Sequence, residues 1–176
     1  MGVTTIWLSP IAKMQYSRIG QWGAYHGYWI TDHMEVEPRF GDFDTLKRLG
    51  IELQKRDMSL VLDMVYNHVA YDSTLVTEHP DWFHPTGDIV DWSDPVERRT
   101  HRVHGLPDLD QSQPEVANHL IQDGLHWMKS VGPSAIRVDA VRHLNAAFLN
   151  SWISSMKAAT EEPLVFAGEV FDGNAV

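Results

Sequence analysis

Four short apolar runs, separated by segments of helical periodicity, constrain the fold of this chain most strongly. The runs are TTIWLSPI (4–11), SLVLDMVYN (59–67), SAIRVDAV (134–141) and PLVFAGEVF (163–171). Near-continuous apolar strands are typical of parallel sheets, because helices cover both faces of such a sheet. The alternation of strands and helices therefore predicts βαβ units in an α/β protein, with each strand buried on both faces.

Three segments between and beside these runs carry helix signals. The first is 42–58, which begins at Asp42, a residue type favoured as an N-cap. The second is 113–132, with Pro114 in its first turn, where the missing N–H of proline costs nothing. The third is 145–160, which has the apolar spacing of an amphipathic helix.

The count of strands indicates part of a larger architecture. Four parallel strands with three helices leave open sheet edges, and a closed (β/α)8 barrel typically takes about 250 residues. We therefore expect a partial (β/α)8 TIM barrel, truncated at both ends. We divide it into a first barrel part (1–68), a loop-rich excursion after the second strand (69–107) and a barrel continuation (108–176).

Composition excludes several classes of function. The net charge of -10 argues against nucleic acid or an anionic membrane surface as a partner. No apolar run approaches the roughly 18–20 residues of a membrane span. The chain has no Cys, hence no disulfide or thiolate chemistry, and its 10 His have no paired spacing that requires a transition metal. Compartment and oligomeric state stay undetermined.

Acidic residues late in three of the apolar runs are the strongest indication of a site. They are Asp63, Asp139 and Glu169. Barrel enzymes build their active sites at the C-terminal ends of the strands, and three acids in successive strands favour such a site over isolated structural roles.

The spacing of two of these acids adds a chemical constraint. Asp139 and Glu169 are 30 positions apart, about one βα unit, and should lie on adjacent strands about 4.8 Å apart. Two carboxyl groups about 5–5.5 Å apart suit a retaining glycosidase. Arg137, two residues before Asp139, projects on the same side and would hold that carboxylate ionised and oriented. A purely structural Arg–Asp pair is the alternative.

Six stretches, taken together, resemble the catalytic barrel of the α-amylase family, retaining enzymes that act on α-glucans. The stretches are AYHGYWITD (24–32), EPRFG (37–41), DMVYNH (63–68), LPDLD (106–110), IRVDAVRH (136–143) and GEVFDG (168–173). They occur in the family's order and extend from its second barrel strand to its fifth. The resemblance implies a small inserted domain for the excursion at 69–107.

The resemblance also implies roles for the residues of the strand ends. Asp139 is the nucleophile that forms a glycosyl-enzyme intermediate, and Glu169 is the general acid/base. Arg137 steadies the nucleophile, and Asp63 supports the site from behind.

Further residues match the family's substrate-binding positions. His68 would hydrogen-bond the sugar at the point of cleavage, and Tyr28 would stack on the same ring, with His26 and Trp29 nearby. Plain core packing of Tyr28 and Trp29 is the alternative. The matching positions for the leaving-group side are Arg142 and His143, a pair typical of members that cleave α-1,4 bonds.

A structural Ca²⁺ is also implied by the resemblance, although no cofactor is required for the chemistry. Its ligands would be Asn67, Asp108 and the carbonyl of His143, all oxygen donors, as calcium prefers. The segment VERRTHRVHG (96–105), where the family supplies a further acid, is basic here.

Two departures from the family pattern matter. Ser134 and Ala135 stand where the family has Asp-Gly, and no N-H-D block with the third catalytic acid follows Glu169. We therefore expect retaining hydrolysis of α-1,4-glucosidic bonds in starch or maltodextrin as the family activity, with little activity from this chain alone. A transglycosylase, an α-1,6-glucosidase or a non-catalytic carbohydrate-binding relative are the alternatives.

Overall fold

The computed structural model describes residues 2–171, which contain six strands and five helices. The strands are β1 (Thr5–Trp7), β2 (Ala12–Met14), β3 (Ile30–Val36), β4 (Ser59–Met64), β5 (Ala135–Val138) and β6 (Val165–Gly168). The helices are α1 (Phe43–Gln54), α2 (Leu75–Glu78), α3 (Glu97–Thr100), α4 (Pro114–Val131) and α5 (Ala146–Ala158).

A four-stranded parallel sheet in the order β1-β4-β5-β6 forms the centre of the fold. Neighbouring strands in space are also successive in the predicted βαβ series, with α1, α4 and α5 in the connections. This is the winding of a (β/α)8 barrel, so the prediction of a partial TIM barrel is confirmed. The division at residues 68 and 107 stays a prediction.

The strands are shorter and less uniformly buried than the sequence predicts. The central strands β4 and β5 are mostly buried, but β1 and β6 are not: Trp7 is 56% exposed and Val165 is 62% exposed. The prediction that all four strands are buried on both faces is therefore wrong for β1 and β6. These two strands form the edges of the described sheet, so each has a neighbouring strand on one side only.

An antiparallel pair, β2 with β3, lies outside the parallel sheet and is not foreseen from the apolar pattern. In β3 only Ile30 and His33 are buried, so burial does not alternate with the period of two that identifies a strand. The pair carries the chain from β1 toward α1 and positions the loop at 15–29 beside the ends of the main strands.

The three predicted helices are confirmed, and their ends follow from local chemistry. Asp42 caps α1 by accepting a hydrogen bond from the backbone N–H of Thr45 (2.8 Å). Pro114 opens α4, which ends at Gly132 in the left-handed conformation. Asn145 caps α5 through the N–H groups of the next turn. Between residues 2 and 171, no helix combines the length and hydropathy needed to cross a bilayer.

The core lies between the central strands and helices α4 and α5. It includes residues that are almost inaccessible to solvent: Leu62, Val116, Leu120, Ile136, Trp152 and Met156. The two helices approach closely at Gly124 of α4, where a Cβ atom would lie 2.6 Å from Trp152 Nε1 and 2.8 Å from Met156 Sδ. A side chain of any size at Gly124 therefore requires the side chains of Trp152 and Met156 to shift.

We predict that Gly124→Ala lowers the free energy of unfolding by about 1–3 kcal/mol, because the added methyl group overpacks this contact. Gly50→Ala in α1 is the matched control, since the nearest atom to its added Cβ lies at 3.8 Å. That change should be neutral or stabilise by up to about 1 kcal/mol, as an alanine favours a helix more than a glycine. Urea unfolding measures both, and equal stability of the two variants would contradict the packing argument.

Candidate active site

A single guanidinium group, that of Arg137, binds three carboxylates at the C-terminal edge of the sheet. Its Nη1 donates to Asp63 Oδ1 (2.7 Å) and to Asp139 Oδ1 (2.6 Å). Its Nη2 lies 3.0 Å from Glu169 Oε1. The three acids that the sequence selects as late strand residues are thus brought together around one cation.

The register of the strands explains this convergence. Asp63 of β4 lies opposite Arg137 of β5, and Val138 of β5 lies opposite Gly168 of β6. The next residue after each of these two strands is an acid, Asp139 or Glu169, so that both leave the sheet side by side. Asp63 lies inside its strand, whereas the other two follow the last residue of theirs, a small correction to the predicted strand ends.

A left-handed residue turns the chain sharply after Asp139. Ala140 has φ 49°, a conformation that costs a residue with a Cβ about 1–2 kcal/mol, and a 3₁₀ turn at Val141–His143 follows. The turn directs the N–H of Ala140 at Glu169 Oε2 (3.1 Å). The strain is therefore linked to the orientation of the second carboxylate.

Asp139 and Glu169 differ in exposure. The side chain of Asp139 is 9% exposed, and that of Glu169 is 41% exposed. Burial raises the pKa of Asp139 to about 7; Arg137 opposes this rise, and the negative charges of Glu169 and Asp63 add to it. Arg137 thus favours the ionised carboxylate, as expected from the sequence, but does not outweigh burial.

Asp63 is buried and accepts hydrogen bonds from three neighbouring side chains, those of Arg137, Tyr28 and Trp7. Its Oδ2 accepts from Tyr28 Oη (3.0 Å) and Trp7 Nε1 (3.2 Å). Burial raises its pKa, although the bonds from Arg137, Tyr28 and Trp7 each lower it. Burial by itself lowers the pKa of Arg137, but its bonds to the acids raise it overall, so this guanidinium stays charged.

Tyr28 belongs to a row of rings on the loop before β3. The ring of His26 stacks on that of Tyr28 at 5.8 Å and meets Trp29 edge-on at 5.2 Å. The Arg137 guanidinium carbon lies 5.5 Å from the centre of the Tyr28 ring. Tyr28 and Trp29 are partly buried, and Tyr28 also packs against the core, so the role of these two rings stays a prediction.

His68 lies on the same side and is neutral. Its Nε2 is 3.1 Å from the carbonyl oxygen of Tyr28, and because a carbonyl only accepts, this nitrogen carries the proton. Burial lowers its pKa to about 4. Its Nδ1 is buried and has no hydrogen-bond partner among residues 2–171.

A cavity of about 530 Å³ opens beside Asp139 and Glu169. Its volume is typical of a small-molecule site. The predicted residues that line it besides these acids are His68, Arg142 and His143. Arg142 donates to the carbonyl of Phe171 (3.2 Å), and His143 pairs through Nδ1 with the carbonyl of Arg98 (2.8 Å). Positions 172 and 173 of the GEVFDG stretch lie outside the described residues.

Of the residues predicted to bind calcium, the structure places Asn67 and Asp108 on paired segments. Asn67 and Asp108 are buried neighbours on paired segments, since the N–H of Leu109 donates to the carbonyl of Asn67 (2.9 Å). Asn67 is close enough to lower the pKa of Asp108, which burial raises to about 6. Within residues 2–171, neither atom of the Asn67 amide makes a hydrogen bond of normal geometry. A buried amide without a partner beside a carboxylate fits a cation, although Asp108 Oδ2 already pairs with His84 Nδ1 (2.7 Å).

Three residues at the site are not predicted from the sequence. Trp7 bonds Asp63, and Trp92 and His104 line the cavity. Trp7 ends β1, so the rule that selects residues at the C-terminal ends of strands would have found it. Trp92 and His104 lie in the aperiodic excursion, where no sequence signal distinguishes them from other loop residues.

The fold and the site together define a class: a partial (β/α)8 barrel with carboxylates at the C-terminal edge of its sheet, where barrel enzymes have their active sites. A family model described as the alpha amylase catalytic domain matches residues 1–163. This chain belongs to the α-amylase family.

Individual relatives agree with this membership. The α-amylase of Geobacillus thermoleovorans, solved with acarbose, is 39% identical, with a TM-score of 0.90 over 98% of this chain and 38% of that one. An Anoxybacillus α-amylase is 36% identical, with a TM-score of 0.87 over 96% and 36% of the two chains. A cyclomaltodextrin glucanotransferase of Klebsiella oxytoca is 30% identical over 99% of this chain and 30% of its own length. The chain thus spans between 30% and 38% of the length of these relatives.

The raised pKa of Asp139 has a consequence for stability. Between pH 4 and 7 the folded chain holds a proton on Asp139 that the unfolded chain releases, so this group's contribution to stability falls as the pH rises through that range. We predict that Asp139→Asn raises the free energy of unfolding by about 1–3 kcal/mol at pH 8 and changes it little at pH 4.

Urea unfolding at the two pH values measures this effect. Asp57→Asn is the control, because Asp57 is an exposed carboxylate at which asparagine tolerates the left-handed backbone (φ 53°). A gain at pH 8 no larger than that of the control would mean that Asp139 ionises without cost.

Proposed function

We propose that this chain supplies the nucleophile and the acid/base of a retaining enzyme that cleaves α-1,4-glucosidic bonds in starch- or maltodextrin-type α-glucans. One observation carries the proposal: Arg137 holds Asp139 and Glu169 from adjacent strands beside the same cavity. Adjacent carboxylates suit direct attack on the sugar, whereas an inverting enzyme needs room for a water between them.

In the first step the Asp139 carboxylate attacks the anomeric carbon, and the bond to the leaving oxygen breaks. Glu169 gives its proton to that oxygen, so the shorter sugar leaves as an alcohol. In the second step Glu169 takes a proton from water, the water oxygen bonds to the anomeric carbon, and the Asp139 carboxylate is released. The exposure of Glu169 supports the exchange of protons and leaving groups.

The residues around the acids support a division of tasks. Arg137 and Asp63 orient the nucleophile, and Asp63 in turn receives the hydroxyl of Tyr28. Tyr28, with His26 and Trp29 nearby, would stack on the sugar, and His68, which lines the cavity, would hydrogen-bond it.

Transfer to a second sugar is the competing outcome of the same intermediate. The relatives include both α-amylases and the Klebsiella glucanotransferase, which supports one shared first step with either water or a sugar hydroxyl in the second. Incubation of an active form, such as the fusion described next, with maltoheptaose separates the two: products longer than the substrate indicate transfer.

We predict that residues 1–176 alone hydrolyse starch little or not at all, because they supply two of the three carboxylates that the family uses. A fusion in which this chain replaces the matching segment of the Geobacillus α-amylase should be active. In that fusion, Asp139→Asn and Glu169→Gln should each lower kcat by at least about 1,000-fold.

The control for this experiment is Asp57→Asn in the same fusion, which should keep the parent rate. Rates are measured as reducing ends released from soluble starch. Full turnover with Asp139→Asn would show that Asp139 is not the nucleophile. Hydrolysis by residues 1–176 alone would show that the third acid is dispensable.

We also propose a structural Ca²⁺ held by the side chains of Asn67 and Asp108, with the His143 carbonyl as a third donor. The bound ion would supply positive charge next to a buried carboxylate. At a calcium concentration 100-fold above Kd, the chain should gain about 2.7 kcal/mol of stability, lost on addition of a chelator. Thermal unfolding measures the gain.

Magnesium is the control ion, because it prefers a smaller octahedral site and keeps its waters. Asn67→Leu, which removes the unpaired amide, should abolish the response to calcium. An unchanged Tm with calcium in the unsubstituted chain would leave His84 as the partner of Asp108 and contradict the calcium proposal.

A further inference from the structure

Trp7, the last residue of β1, contacts the carboxylate cluster from a strand that supplies no acid to it. β1 runs parallel to β4 with Trp7 opposite Val61. Asp63 follows Val61 by two residues, so its side chain lies on the same face of β4. The indole reaches this carboxylate, and its Nε1–H donates to Asp63 Oδ2 (3.2 Å).

The same indole faces the guanidinium that binds the acids. The guanidinium carbon of Arg137 lies 5.6 Å from the centre of the Trp7 ring and 5.5 Å from the centre of the Tyr28 ring. Both distances are within the roughly 6 Å over which an aromatic ring attracts a cation. The pair formed by Arg137 and Asp63 therefore has two aromatic neighbours, each of which also donates to Asp63 Oδ2.

The two oxygens of Asp63 have different donors, and this fixes the plane of the carboxylate. Oδ1 accepts from Arg137 Nη1 (2.7 Å), whereas Oδ2 accepts from Trp7 and Tyr28. The same Nη1 also donates to Asp139 Oδ1 (2.6 Å). A rotation of the Asp63 carboxylate would therefore displace the nitrogen atom that holds Asp139.

Neither core packing nor contact with the cavity accounts for the position of Trp7. The residue is 56% exposed, so its bonds to the cluster, and not burial, hold the indole in place. Trp7 does not line the cavity beside Asp139 and Glu169. Any influence of this side chain on the reaction must therefore pass through Asp63 and Arg137.

We propose that Trp7 is a positioning residue for the nucleophile: its indole N–H fixes the carboxylate of Asp63. Asp63 in turn fixes the guanidinium of Arg137 against Asp139. The inference rests on the proposed function, because it concerns the orientation of the residue that attacks the sugar. Loss of the N–H should lower the rate of the chemical step without weakening the binding of the sugar.

The experiment uses the active fusion with the Geobacillus α-amylase, with maltoheptaose as substrate, and first removes only the N–H. Trp7→Phe keeps a ring beside Arg137 but has no donor for Asp63, so kcat should fall by about 10-fold. KM should stay within about 2-fold of the parent value, because the wall of the cavity is unchanged. Trp7→Leu also removes the ring and should lower kcat by about 100-fold.

Trp22→Phe is the matched control, because it makes the same chemical change at a residue that is 62% exposed and does not line the cavity. Its kcat and KM should equal those of the parent fusion.

A double-mutant cycle separates positioning through Asp63 from a general effect on the fold. In an Asp63→Ala background the N–H of Trp7 has lost its acceptor, so Trp7→Phe should change kcat by less than about 2-fold. A merely structural role would instead lower kcat by the same factor in both backgrounds.

The contact itself is tested on residues 1–176 without any turnover. Each of the seven Trp gives an indole N–H signal in an NMR spectrum of ¹⁵N-labelled protein, and the signal lost in Trp7→Phe is that of Trp7. Asp63→Ala should shift this signal, whereas Asp57→Asn should leave it in place. A Trp7 signal that does not move in Asp63→Ala would overturn the inference.

The outcomes separate this inference from the proposed function. If Asp139→Asn abolishes turnover while Trp7→Phe matches Trp22→Phe, the nucleophile stands and the role of Trp7 is overturned. A raised KM at unchanged kcat, or equal losses in the two backgrounds of the cycle, likewise overturns it. If Asp63→Ala fails to fold, the comparison of Trp7→Phe with Trp22→Phe still decides. Full turnover with Asp139→Asn overturns the proposed function, and the role of Trp7 falls with it.

Discussion

The interaction of Arg137 with three carboxylates is the constraint on which the rest of the site depends. The acids come from three adjacent strand ends, so one guanidinium connects β4, β5 and β6 at their carboxyl edge. Three ionised acids around one cation would leave two negative charges uncompensated. Burial is the main cause of the raised pKa of both Asp139 and Asp63, and for Asp139 the negative charges of Glu169 and Asp63 add to it.

This arrangement is costly for stability and useful for chemistry. A buried carboxylate with a raised pKa is a high-energy anion, held in place by the parallel sheet and by its bonds to Arg137. The same features suit the nucleophile role proposed for Asp139, because the carboxylate is short of solvent and fixed in direction. The left-handed Ala140 adds local strain for the same end, since it directs a backbone N–H at Glu169.

The sequence predicts the parts of this structure that follow from periodic patterns. The strands around Leu62 and Ile136 and the helices begun by Asp42 and Pro114 are recognisable, because their burial follows the periods of strand and helix. β3 is not recognisable, since its buried residues, Ile30 and His33, are three positions apart and do not show the alternation of a strand. The exposure of Val165 depends on its strand being an edge of the sheet, which is a property of the sheet and not of the local sequence.

The same distinction applies to the site. Asp139 and Glu169 are predictable because strand spacing fixes which residues meet, and Arg137 because alternate residues share a face. That Asp63 shares the same guanidinium depends on the register of β4 against β5, which the sequence does not specify. Trp92 is less predictable than Asp63, because its position depends on hydrogen bonds inside an aperiodic loop, such as those of Glu97.

A division of tasks between strands and loops follows. The strands supply Asp63, Asp139 and Glu169, whose geometry is set by the sheet and suits the first step of the proposed reaction, formation of a glycosyl-enzyme intermediate. Hydrolysis and transfer differ only in what attacks that intermediate next, water or a sugar hydroxyl. The residues that decide between them must therefore lie where the second molecule enters, on the leaving-group side. In this chain the excursion contributes Trp92, Val103 and His104 to the cavity wall, so the wall can change there while the carboxylate cluster stays fixed.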